Sequence, residues 1–139
     1  MKKILIVDDH PEIRELLRIT FARNDYQIFS AANGQQALEI AQAEHPHVIL
    51  LDIMMPGSEI DGLEVCRCLK ADPATADIII IIVSAKYQEG DIKAGLAVGA
   101  DKYVIKPFLP TVLKRNVEEE LRKRKLCPKR WSGQDDIKP

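Results

Sequence analysis

The chain has 139 residues, 46% of them hydrophobic, with 20 basic against 21 acidic side chains and a net charge of -1. Its size and apolar content suit one compact domain with an ordinary core, and the balanced charge offers nucleic acid or an anionic membrane no general foothold. No apolar run approaches the roughly 20 residues of a membrane span, and Met1-Lys2-Lys3 leads into a short strand-like run rather than a signal-peptide core, so a cytoplasmic protein without membrane insertion is expected.

The first element is the strand Ile4-Leu5-Ile6-Val7, continuous in β-branched and aliphatic residues as a strand covered on both faces should be. After Pro11, a residue suited to a first helical turn, Ile13, Leu16, Leu17, Thr20 and Phe21 recur at helical spacing, with Glu12, Arg14, Glu15 and Arg18 on the polar face. Residues 27–32 form a more mixed strand, as expected at a sheet edge, and residues 35–44 a helix carrying Ala37, Leu38 and Ala41 that Pro46 forbids to continue. The run 48–51 is a buried strand, and the helix 63–70 stops before Asp72-Pro73. The run 78–83 is a further strand, followed by a helix at 91–98 that ends on Gly99. Tyr103-Val104-Ile105 is a short last strand, and a final helix opens near Pro110 and runs to about Leu126 with Leu113, Val117 and Leu121 on its buried side. Residues 1–126 are read as one domain and 127–139, which lose periodicity, as a mobile polar tail.

The order βαβαβαβαβα, with right-handed crossovers between parallel strands, predicts an α/β fold built on a doubly wound five-stranded sheet. With the mixed second and short fifth strands at the edges, the flavodoxin-like order 2-1-3-4-5 follows, and its ligand crevice lies beyond the carboxyl ends of strands 1 and 3. Asp8-Asp9, Asp52, Ser84 and Lys106 stand at the carboxyl ends of strands 1, 3, 4 and 5. An aspartate after a strand is ordinarily a helix N-cap, but four strands delivering complementary groups to one crevice call for a chemical reason. Crowded carboxylates raise one another's pKa unless a cation intervenes, and Mg2+ (or Mn2+) favours such oxygen ligands beside a phosphate. Lys106 adds positive charge and Ser84 a hydroxyl donor, so the set holds what phosphoryl transfer to a carboxylate needs.

These residues and their neighbours resemble the receiver domains of two-component response regulators. The motifs are Ile4-Leu5-Ile6-Val7-Asp8-Asp9, Leu51-Asp52-Ile53-Met54-Met55-Pro56-Gly57, Asp61-Gly62-Leu63-Glu64, Val83-Ser84-Ala85-Lys86, Gly99-Ala100-Asp101 and Tyr103-Val104-Ile105-Lys106-Pro107-Phe108, in the family's order over roughly residues 3 to 124. The resemblance implies that Asp52 is the phosphoacceptor, that Asp8, Asp9 and Asp52 hold magnesium with the Met54 backbone carbonyl, and that Lys106 contacts the phosphoryl group. It further implies a switch made of Ser84 and Tyr103, a cis Lys106-Pro107 bond that aims the lysine, and a signalling protein that is not an enzyme, though it assists its own phosphorylation and dephosphorylation. The partners it implies are a sensor histidine kinase or phosphotransfer protein of a phosphorelay, and a homodimer or effector on the face of helix 4, strand 5 and helix 5.

Two departures from the family pattern stand out. Ser58-Glu59-Ile60 separates Gly57 from Asp61 where one residue is usual, and Ile79 stands where proline often begins strand 4. The first is read as a tolerated loop insertion, with altered metal or kinase access as its alternative. Cys66, Cys68 and Cys127 are read as reduced thiols, and His10, His45 and His47 as solvated loop residues. The basic stretch Arg122-Lys123-Arg124-Lys125 closes a helix where cations complement the macrodipole, and is read as a solvated end rather than a nucleic-acid contact. Past Leu126 too little chain follows for a helix-turn-helix, so no direct DNA reading is expected. The rival functions are an unphosphorylated receiver-like scaffold and a metal-dependent phosphatase.

Overall fold

The computed structural model describes residues 2–22 and 26–126. The expected tail, with Cys127, lies outside the described residues. Ten elements alternate without exception: β1 (Lys2–Val7), α1 (Pro11–Ala22), β2 (Tyr26–Ala31), α2 (Gly34–Glu44), β3 (Val48–Leu51), α3 (Gly62–Ala71), β4 (Ile79–Ser84), α4 (Glu89–Ala97), β5 (Lys102–Ile105) and α5 (Pro110–Leu126). The sheet is five-stranded in the order β2-β1-β3-β4-β5, and each neighbouring pair is parallel. This is the flavodoxin-like order expected from the mixed second and short fifth strands.

Alternation along the central strands divides the core into two layers. Leu5, Val7, Ile49, Leu51, Ile80 and Ile82 face α2 and α3, where Ala37, Ala41, Val65, Cys66 and Leu69 meet them. Ile4, Ile6, Val48, Leu50, Ile79, Ile81 and Val83 face Leu17 and Phe21 of α1 and Leu113 and Val117 of α5. Central strands buried on both sides explain why they read as continuous apolar runs. Helix α4 differs, since Gly95 is its one buried residue.

Several helix ends differ from the sequence reading by one or two residues, and caps account for them. Asn33 accepts from the Gln36 N–H and Asp61 from the Glu64 N–H, which starts α2 at Gly34 and α3 at Gly62. Asp91, expected as the first residue of its helix, instead reaches back from the third position to the Gln88 N–H at 3.2 Å, and α4 begins at Glu89. Gly99 follows the helix with φ +107°, the left-handed geometry that favours glycine.

The edge of the sheet opposite the crevice corrects two further expectations. His47 is exposed but is not merely solvated: its Nδ1 accepts from the Lys3 N–H at 3.0 Å, and its backbone links Lys3 and Ile79 at 2.9 and 3.1 Å. The last of these bonds uses the Ile79 N–H, which a proline would lack. Of the basic stretch, Arg122 and Lys123 are exposed at the helix end as expected, whereas Arg124 is partly buried. It hydrogen-bonds the Asp77 carbonyl and lies 3.6 Å from Asp101, which also receives the Lys70 ammonium at 3.2 Å and the Ile80 N–H at 2.8 Å.

Two glycines provide a test of this packing. A Cβ on Gly62 would stand 2.4 Å from the Asp52 carbonyl oxygen and 2.5 Å from Ile53 Cα, both backbone, whereas one on Gly90 meets nothing within 4 Å. Gly62→Ala is expected to lose about 2 kcal/mol through overpacking, and Gly90→Ala to gain roughly 0.5 kcal/mol by relieving backbone entropy. Urea denaturation of the two variants measures both; a stable Gly62→Ala would contradict the close approach of the loop to Asp52.

Candidate functional site

The carboxyl ends of the strands meet where the register requires. Val7 pairs with Leu51, and the Asp52 N–H donates to the Val7 carbonyl at 2.9 Å, so Asp8 and Asp52 emerge side by side. Ser84 pairs with Ile105, and the Lys106 N–H donates to the Ser84 carbonyl at 2.8 Å, which sets the lysine beyond the adjoining strand end. The Lys106-Pro107 peptide is cis, as the resemblance implies.

Asp8 and Asp52 are each 2% exposed, an unusual burial for carboxylates. The Lys106 ammonium lies between them, 2.8 Å from Asp8 Oδ2 and 3.3 Å from Asp52 Oδ2. Met54, just past Asp52, turns its N–H back onto Asp52 Oδ1 at 2.9 Å, and Arg14 of α1 donates to the Asp8 carbonyl at 2.7 Å. Burial raises the Asp52 pKa above the usual carboxylate range, with the Asp8 charge adding to it; the Met54 N–H and Lys106 oppose the rise without cancelling it. Burial works to lower the Lys106 pKa, but its bond to Asp8 and the charges of Asp52 and Asp8 prevail and raise it.

His10, expected as a solvated loop residue, is exposed in the loop after β1 and also joins this cluster. Its side chain is half exposed, yet Nδ1 lies 3.0 Å from Asp8 Oδ1 and 3.1 Å from Asp9 Oδ1. The bond to Asp8, then the charges of Asp9 and Asp8, raise the imidazole pKa. Ligand atoms of Asp8, Asp9, His10 and Asp52 all lie within 4.8 Å of one another. Asp9 Oδ1 is buried and accepts no hydrogen bond, leaving the imidazole as an ionic neighbour. A buried carboxylate oxygen without a donor, set among two further carboxylates, fits a hard divalent cation.

Around the cluster, Ser84 is fully buried and its Oγ accepts from the Lys86 N–H at 3.2 Å. Tyr103 is partly buried against the α2/α3 layer, and its hydroxyl donates to the Lys86 carbonyl at 2.8 Å, bridging β5 to the β4–α4 loop. Burial raises the Tyr103 pKa, partly offset by the Ser84 hydroxyl. The structure therefore brings Asp8, Asp9, Asp52, Ser84 and Lys106 to one crevice, with Met54 and Tyr103 at its edges. Cys66 and Cys68 take no part: both are free thiols on α3, and burial pushes Cys66 up to about 11.

Comparison with known proteins agrees with this geometry. The family described as response regulator receiver domain matches residues 4–118. The phosphate regulon transcriptional regulatory protein PhoB of Pseudomonas aeruginosa is 43% identical over 122 residues, which cover 88% of this chain and 52% of that protein. The alkaline phosphatase synthesis transcriptional regulatory protein PhoP of Bacillus subtilis is 38% identical over 126 residues, 91% of this chain and 51% of that protein. The chain thus spans about half the length of the curated relatives it matches. Among solved structures, the BeF3-activated DrrB receiver domain superposes with a TM-score of 0.79 at 29% identity, covering 88% of this chain and 98% of that one. Chemotaxis protein CheY4 of Vibrio cholerae gives 0.79 at 29%, covering 86% and 98%. On its fold, its strand-end residues and these likenesses, the chain belongs to the response-regulator receiver domains, the phosphoacceptor signalling modules of two-component systems.

Proposed function

We propose that Asp52 is the residue that accepts the phosphoryl group, with Asp8 and Asp9 beside it as the principal protein ligands of Mg2+ or Mn2+. The observation that carries this reading is the Lys106 ammonium bridging Asp8 and Asp52 at 2.8 and 3.3 Å, next to a buried Asp9 oxygen that has no hydrogen-bond donor. Asp52, the Met54 carbonyl and solvent would complete the coordination, and the ion, when bound, offsets negative charge on the phosphoryl oxygens.

Asp52 needs no general base, because a carboxylate attacks as it stands. Its oxygen forms a new bond to phosphorus while the bond to the donor breaks, and a donor imidazole leaves with the bonding pair and takes a proton from solvent. The Met54 N–H holds one Asp52 oxygen and Lys106 meets the other, so the nucleophile is oriented before the donor arrives. Lys106 then turns to the transferred group, which carries about -1.5 to -2 charge. Ser84 donates its hydroxyl to a phosphoryl oxygen, and Tyr103 follows Ser84 and the β4–α4 loop it already bonds.

The partner that supplies the group is a sensor histidine kinase or phosphotransfer protein. Output passes through the face of α4, β5 and α5, where Leu96 and Ile105 are exposed, 46% and 40%, with Lys93 nearby on α4. That face would serve a homodimer or a separate effector. The transcriptional roles named for the relatives extend to this chain only as part of the same proposal.

Acetyl phosphate with Mg2+ is expected to add one phosphoryl group, seen by intact mass; labelling that survived in Asp52→Asn, or proceeded unchanged in EDTA, would reject the assignment. The raised Asp52 pKa means that folding favours its protonated form, so stability falls as pH climbs past the ordinary carboxylate range. Asp52→Asn should therefore melt above the parent at pH 7, with the gap closing towards pH 4 and on adding Mg2+ to the parent. By NMR, His10 of the metal-free protein should titrate above 6.5, and Mg2+ should bring it down as the ion takes over the carboxylates; a His10 indifferent to Mg2+ would place the ion elsewhere. Sedimentation with and without a phosphoryl mimic tests the output face, where charge reversal at Lys93, Lys102 or Lys114 should abolish any association gained.

A further inference from the structure

The residues that lengthen the loop between β3 and α3 are not a free excursion. The Ser58 N–H closes a turn onto the Met55 carbonyl at 3.0 Å. The Ser58 hydroxyl donates to the Ile60 carbonyl at 2.6 Å and accepts from the Gly34 N–H at 3.0 Å. Gly34 is the first residue of α2, so its N–H is among those a helix leaves without an internal partner. Asn33 caps the Gln36 N–H of the same turn, and Ser58 reaches across from another element to satisfy Gly34.

This approach depends on the absence of a side chain at Gly34. A Cβ there would stand 2.5 Å from the Ile60 carbonyl oxygen and 2.9 Å from Val65 Cγ2. Ile60 is half-buried and packs onto the core layer that includes Met55 and Val65. The loop is thus fastened at its tip on α2, while Gly62 presses its base onto the Asp52 and Ile53 backbone. Between the two fastenings lies Met54, whose N–H is bonded to Asp52. A longer loop has more conformations to lose, and the hydroxyl bridge removes that freedom where the extra residues introduce it.

We infer that Ser58 is a positioning residue for the acceptor loop: by joining Gly34 to Ile60 it holds the Met54 peptide beside Asp52 and so pre-forms the cation site. The inference rests on the reading of Asp52 as acceptor with a divalent ion beside it. Ser58→Ala removes the bridge, Ser58→Thr keeps the hydroxyl, and Gly34→Ala keeps Ser58 but displaces the Ile60 carbonyl that its hydroxyl meets.

In the metal-free protein, amide exchange at Gly34 and Met54 should quicken in Ser58→Ala and Gly34→Ala and return to the parent's value in Ser58→Thr. An NMR titration with Mg2+ should show affinity about tenfold weaker in Ser58→Ala, the scale of losing a supporting hydrogen bond behind a metal ligand, with recovery in Ser58→Thr. The Mg2+ concentration that half-saturates labelling by acetyl phosphate should rise by a similar factor in Ser58→Ala and return to the parent's value in Ser58→Thr. Parent-like exchange and Mg2+ affinity in Ser58→Ala, or failure of Ser58→Thr to restore them, would overturn the inference while leaving the acceptor reading intact. A parent chain that itself neither binds Mg2+ nor takes a phosphoryl group would overturn both.

Discussion

Asp8 and Asp52 are carboxylates sealed almost completely from solvent, and they share the Lys106 ammonium at 2.8 and 3.3 Å. Burying a charge is costly unless it is paired and hydrogen-bonded. Here one ammonium serves two anions, which leaves the site short of positive charge, and burial, with the Asp8 charge adding to it, keeps Asp52 above its ordinary pKa. On the reading of Asp52 as acceptor, that shortage is what would make the crevice receptive to a divalent ion and, with it, to a phosphoryl group. A structure that neutralised the carboxylates fully would be more stable and chemically idle.

The sheet explains how such a cluster can be held at all. Parallel strands end together, and β1, β3, β4 and β5 each place a different group at the same rim. Both layers beneath are packed by central strands buried on two faces, so the rim residues stand on rigid supports while the loops beyond them carry the variable parts. Helix α4 contrasts with this, for it buries little beyond Gly95 and lies next to Tyr103, the side chain bonded to the β4–α4 loop. Of the five helices, the one beside Tyr103 is the one with the fewest buried residues.

The fold was legible because its strongest signals are periodic. Continuous β-branched runs located the buried strands, mixed and short runs located the edges, and the polar residues following each strand marked the rim. What periodicity cannot show is a side chain meeting a distant backbone. Asp101 receiving the Ile80 N–H and Arg124 reaching the Asp77 carbonyl depend on which loops adjoin, and His47 accepting from Lys3 depends on strand register. The contacts of His10 are hidden for a different reason: it follows two aspartates, and only the turn in which its own N–H bonds Asp8 at 2.9 Å brings the ring over them. The value of Ser58 was hidden in the same way, since Gly34, its partner, lies 24 residues earlier.

The lysine that balances the two aspartates comes from the end of the last strand, while the aspartates come from the first and third. A chain emerging from the ribosome can therefore assemble β1 beside β3 before the residue that neutralises their rim has been made. Such a partly folded state would set two carboxylates side by side with no ammonium between them, a like-charge contact that disfavours it. The electrostatics of the site thus discourage early closure of the amino-terminal half and tie its completion to the arrival of β5. Completion of the fold and balance of the charges at its rim are linked through β5.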